Sequence, residues 1–149
     1  MNVAKFALVF TLVCPYVWFD GILLLGLVPG SWWGWNGTYF PRILFWPVTW
    51  SVPAACAYAL LGGGSAKSLS WLRLALVVVI VVVTHAALCA LTEPVWQESI
   101  EYQLKKRFDM FNTTLRACLV FSPLIVWSAH FADRRAARLT VGMKEQEDS

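Results

Sequence analysis

Two ionisable side chains stand where an apolar chain has least use for them: Asp20 within the run 6–28, and His85 within the run 71–92. An ionised carboxylate facing lipid costs at least about 2.5 kcal/mol on insertion scales, so Asp20 is expected to face protein or water, to be protonated, or to be paired. Aspartate and histidine both change charge near neutral pH once their surroundings shift them, which suits proton-linked transport or the binding of a small polar solute. A buried hydrogen bond that fixes helix register uses the same residues and is the plainer reading.

The elements that must position them are set by composition. The chain has 149 residues, 58% hydrophobic and 14% charged, with a mean hydropathy of +0.60, outside the range of ordinary soluble domains. A bilayer core of about 30 Å takes roughly 20 helical residues per crossing. The sequence therefore predicts an all-α membrane protein with four transmembrane helices, over 6–28, 43–61, 71–92 and 114–132, in one domain spanning 1–133, followed by a polar tail over 134–149. The first run is read as a retained helix kinked near Pro15, since it is too long for a secretory signal and lacks a small-residue cleavage site. The β-branched stretch 77–83 has strand propensity, but its place in an unbroken apolar run of helical span length decides for a helix, because lipid offers no partner for backbone groups. Trp32, Trp33, Trp35, Tyr39 and Phe40 crowd the first connection and suit the headgroup level. Gly62, Gly63 and Gly64 predict the end of the second helix.

Depth counting joins the candidates. If the first and third helices start on the same side at Phe6 and Trp71, Asp20 and His85 are each fourteen residues in, about 21 Å along the axis. The second and fourth helices run the other way and reach that level near Thr49 to Ser51 and near Val120 to Ser122. The expectation is an intramembrane polar layer of Asp20, His85, Tyr16, Thr49, Ser51 and Ser122, with Arg116 as the nearest fixed positive charge and a rival partner for Asp20.

The segment 94–111 differs in kind. Trp96, Ile100, Leu104, Phe108 and Phe111 fall at helical spacing on one face, while Glu98, Glu101, Lys105, Lys106 and Asp109 take the others. This predicts an amphipathic helix on the membrane surface or against a partner. Ser51, Ala55 and Ala59 form a small-residue face suited to close helix packing. Cys14, Cys56, Cys89 and Cys118 fall one per apolar run without metal-ligand spacing, and His85 and His130 lie at different depths, so no metal or haem is expected. Counting leaves Cys89 and Cys118 close to the outer face, where an oxidising compartment would permit a disulfide.

Twelve Lys and Arg against nine Asp and Glu form no basic stripe, and nucleic acid is not an expected partner. Arg134, Arg135 and Arg138 directly follow the last apolar run, which places both termini in the cytoplasm of a bacterial inner membrane. No paired carboxylates, phosphate loop or HExxH motif is present, and an enzyme is the least favoured class. The residues point first to a protein acting by contact with another membrane protein or with itself, as an accessory subunit or an immunity- or exclusion-like protein. A small transporter using Asp20 and His85 comes second, and an intramembrane enzyme third.

Overall fold

A computed structural model describes residues 2–24, 40–64, 68–91 and 99–147, with side chains at 20–24, 40–46 and 138–147 outside the description. Among the described residues it is all helical, in the order α1 (Asn2–Val13), α2 (Pro15–Leu24), α3 (Phe40–Leu60), α4 (Trp71–Leu91), α5 (Ile100–Val120) and α6 (Ser122–Glu147), with no strands. Helix α1 packs against α3 and α6, while α4 packs against α3 and α5.

Proline explains the first break. Pro15 has no N–H to give Thr11 and its ring crowds that carbonyl, so Cys14 closes α1 by donating to Phe10 O at 3.0 Å. The carbonyls freed at the end of α1 meet side chains instead: Trp18 Nε1 donates to Leu12 O at 2.7 Å, and Ser128 Oγ, whose short bond goes to Leu124 O at 2.7 Å, also lies 3.4 Å from Val13 O. Pro47 and Pro53 sit inside α3, which nevertheless remains one helix. It ends at the glycines: Gly63 N donates to Tyr58 O at 2.8 Å, while Gly62 and Gly64 take φ of 85° and 95°, a region side-chain-bearing residues avoid.

The second break differs from expectation. Asn112, Thr113 and Thr114 do not end the amphipathic helix, and α5 carries it unbroken through Val120. The chain turns at Phe121, whose N–H closes α5 on Ala117 O at 3.1 Å and whose carbonyl opens α6 by accepting from Leu124 and Ile125, both at 3.0 Å. Pro123, two residues on, cannot donate back to Leu119, and proline outranks asparagine and threonine as a terminator. The two helices meet at 69°. Helix α6 also runs on to Glu147, through most of the polar tail over 134–149.

Helix α4 is long and apolar enough to cross a bilayer, and α5 with α6 passes the same test only as a bent pair. The four expected spans thus reduce to one or two by length and composition among the described residues. Helix α1 has 12 residues, short of the roughly 20 needed, and α3 carries Arg42, three prolines and two tryptophans.

The small-residue face also needs correcting. Within α3 the buried residues are Trp50, Pro53, Ala54, Ala57 and Tyr58, whereas Ser51 and Ala55 are half-buried and Ala59 is exposed. The packed face is turned by one residue because the large aromatics Trp50 and Tyr58 take the interior. On α6 the buried side is Ile125, Ser128, Ala129, Ala132, Asp133 and Ala136.

Asp133 is fully buried, and it binds three elements at one end of the structure. Tyr58 Oη, on α3, donates to its Oδ1 at 2.7 Å, and Leu69 N, just ahead of α4, donates to its Oδ2 at 3.1 Å. Tyr58 also stacks on Phe6 of α1 with centroids 3.8 Å apart, and Asn2 Nδ2 donates to Gly64 O at 3.1 Å. Replacing Tyr58 by Phe should lower stability by about 1.5–3 kcal/mol, the usual worth of a hydrogen bond to a charged group. Thermal unfolding in mild detergent measures it, and an unchanged midpoint would show that Asp133 does not hold this end.

Candidate functional site

The interior of α4 places one ionisable group among aromatic rings. Leu74, Val77, Val78, Val81, His85 and Ala86 face inward at helical spacing, and His85 is fully buried. Its Nδ1 lies 3.3 Å from Thr49 Oγ1 on α3, and its Nε2 lies 3.5 Å from Cys89 Sγ, one turn on along α4. Both ring nitrogens are thus within reach of a hydroxyl or a thiol, and the tautomer decides which group donates.

Rings close the site on the other sides. Tyr16 of α2 meets the imidazole edge-on with centroids 5.9 Å apart, and Trp50 does so at 5.3 Å. Tyr16 in turn contacts Trp50 at 5.5 Å and Phe121 at 5.7 Å. Helices α2, α3 and α4 and the α5–α6 bend therefore converge on one level. Trp50 is fully buried and its indole N–H has no acceptor among the described residues, an unmet donor of the kind that elsewhere in proteins marks water or a bound group.

Of the expected polar layer, the structure brings together Tyr16, Thr49 and His85. Ser51 and Ser122 are half-buried and Arg116 is exposed. The Asp20 side chain lies outside the described residues. None of the four cysteines forms a disulfide, Cys89 and Cys118 included. His130 is remote from this level: it stacks on Trp71 with centroids 4.4 Å apart, and Trp71 precedes His85 by fourteen residues, about 21 Å along the helix.

On α5, Ile100, Leu104 and Phe108 are 77%, 64% and 63% exposed. Phe111 is half-buried and Trp96 lies outside the described residues. Gln103, Lys106, Arg107 and Met110 are half-buried as well, and Arg107 Nε is buried without an acceptor among the described residues. Glu101, Lys105 and Asp109 are exposed, so along α5 large apolar and charged side chains share the exposed surface.

Depth counting does not find Asp133, yet a signal for it exists. Ile125, Ala129, Ala132, Asp133 and Ala136 follow the 3- and 4-residue spacing of a buried stripe, which places the acid on the packed side although it looks like the start of a polar tail.

No family model, curated protein or solved structure matches this chain. The Thr49–His85 contact should appear as an interaction energy of about 1 kcal/mol in a double-mutant cycle of Thr49→Val and His85→Leu read by thermal unfolding; additive effects would mean the two groups do not pair.

Proposed function

We propose that this chain is a four-span membrane protein of a bacterial inner membrane, with both termini cytoplasmic, that acts by contact with another membrane protein. The observation that carries this is the outward apolar stripe of α5, Ile100, Leu104 and Phe108. In water such a face would be turned inward, since each buried large apolar side chain is worth about 1.5–3 kcal/mol. Here Ile100, Leu104 and Phe108 stay exposed beside half-buried Phe111, so this stripe is left for lipid or for a partner.

Membrane placement is supported by the apolar length of α4 and by exposed Leu72, Leu76, Val79, Ile80, Val83 and Leu91 along it. Four crossings are supported by packing. The start of α1, the end of α3 and the residues ahead of α4 gather around Asp133 of α6 at one end. That end carries Arg134 and Arg135, the cationic flank typical of the cytoplasmic side. An accessory subunit and an immunity- or exclusion-like protein both fit a chain whose described groups offer contact surface more than catalytic machinery.

A second reading, a small proton-linked or polar-solute carrier on Asp20 and His85, is favoured by the complete burial of His85 at the level of Tyr16 and Thr49. Flux of protons in reconstituted vesicles, lost in Asp20→Asn and His85→Leu, would establish it.

For the contact reading, the chain extracted in mild detergent should co-purify with one stoichiometric partner. Leu104→Glu and Phe108→Glu should release that partner while thermal stability stays within about 0.5 kcal/mol, as expected for surface positions. Retention of the partner by both variants would remove α5 from the interface.

A further inference from the structure

The start of α5 carries charge where the contact reading uses only an apolar stripe. Glu101, Lys105 and Asp109 are exposed alongside Ile100, Leu104 and Phe108. Successive helical residues turn by about 100°, so Phe108, Glu101 and Lys105 share the side that faces away from half-buried Gln103, Lys106 and Met110, with Leu104 next to them. That outermost side is part apolar and part charged, and its acid and its base stand one helical turn apart.

The charges select the occupant. Lipid tails suit Leu104 and Phe108 but not Glu101 and Lys105 beside them, whereas a protein surface that sets a base against Glu101 and an acid against Lys105 matches both. The same face of a second copy, run antiparallel, is such a surface. Paired about a two-fold axis at the level of Gln103, midway between Glu101 and Lys105, each Glu101 meets the partner's Lys105, and the two Leu104 side chains stand only about 3 Å apart along the helix axis. Run parallel, the face would set Glu101 against Glu101 and Lys105 against Lys105, which opposes association. Membrane symmetry selects the same direction. Two copies of one topology are related by an axis along the membrane normal, and that axis turns a helix lying toward the membrane plane antiparallel to itself. The 69° bend between α5 and α6 gives α5 that attitude when α6 runs across the bilayer.

We propose that the exposed face of α5 around Leu104 pairs antiparallel with the same face of a second copy, closed by two reciprocal Glu101–Lys105 contacts beside a Leu104–Leu104 contact. The inference rests on the contact reading and names its partner, which makes the assembly a homodimer. In this register Phe108 packs near the partner's Ile100, while the two Phe108 residues stand about 15 Å apart along the helix axis.

Two preparations of the full chain, each with its own affinity tag, are reconstituted together in phosphatidylcholine vesicles and solubilised in mild detergent. Capture of one tag should recover the other. Glu101→Lys alone and Lys105→Glu alone should each lower that recovery by about tenfold, since each sets like charges across the axis. Mixing Glu101→Lys in one preparation with Lys105→Glu in the other should restore it, because each chain then meets opposite charge only in the other. In a chain whose native cysteines are replaced, oxidation should join Leu104→Cys copies and leave Phe108→Cys copies apart. The proposal is overturned by no recovery for the native chain, by native recovery in both reversed variants, by a mixture no better than either variant alone, or by Phe108→Cys joining as readily as Leu104→Cys. A chain that does not recover itself yet retains a different protein, released by Leu104→Glu and Phe108→Glu, overturns the homodimer and leaves the contact reading in place; a chain that retains neither overturns both.

Discussion

A single buried carboxylate organises one end of this protein. Asp133 accepts from Tyr58 and from the amide of Leu69, and so couples α6 to the end of α3 and to the entry of α4, while the Tyr58–Phe6 stack extends the coupling to α1. A buried charge is tolerated only when its acceptor sites are filled, and here each carboxylate oxygen has a donor. Gly63 belongs to the same arrangement, because a Cβ there would come within 2.4 Å of the Tyr58 ring. The glycines that look like a simple flexible turn are therefore also a packing requirement of the tyrosine that holds the acid.

At the opposite level the organising principle is the satisfied break. Lipid supplies no hydrogen bonds, so an interrupted helix must find partners within the protein. The Pro15 interruption is met by Trp18 and Ser128, and the turn at Phe121 by the shared use of its own N–H and carbonyl. These two breaks bring Tyr16 and Phe121 against one another and against the His85 level. The convergence of the helices on the His85 level thus originates in two prolines.

Much of this was legible in the residues. The helix over Trp71–Leu91 follows from an unbroken apolar run, the kink near Pro15 from proline chemistry, and the meeting of Tyr16, Thr49 and His85 from counting rise per residue along antiparallel helices. Other features were hidden for physical reasons. Asp133 reads as solvent-exposed because an acid beside two arginines usually is; only the spacing of its neighbours reveals the buried face. The continuity of α5 through Asn112, Thr113 and Thr114 was hidden because a change from polar to apolar composition is not a helix end, whereas Pro123 is a terminator. In α3, spacing alone could not tell Ser51, Ala55 and Ala59 from the face one residue earlier, which the volume of Trp50 and Tyr58 decides.

The central claim is that these helices thread a bilayer, with the Asp133 end on the cytoplasmic side and the start of α5 on the other. Its most direct measurement is labelling by a membrane-impermeant thiol reagent, in a chain whose four native cysteines are replaced, of single cysteines introduced as Ser68→Cys, Ser99→Cys and Lys144→Cys. The account predicts that Ser99→Cys reacts in intact cells, and that Ser68→Cys and Lys144→Cys react only once the cytoplasmic face is opened. Labelling of Ser68→Cys and Ser99→Cys from the same side would contradict it.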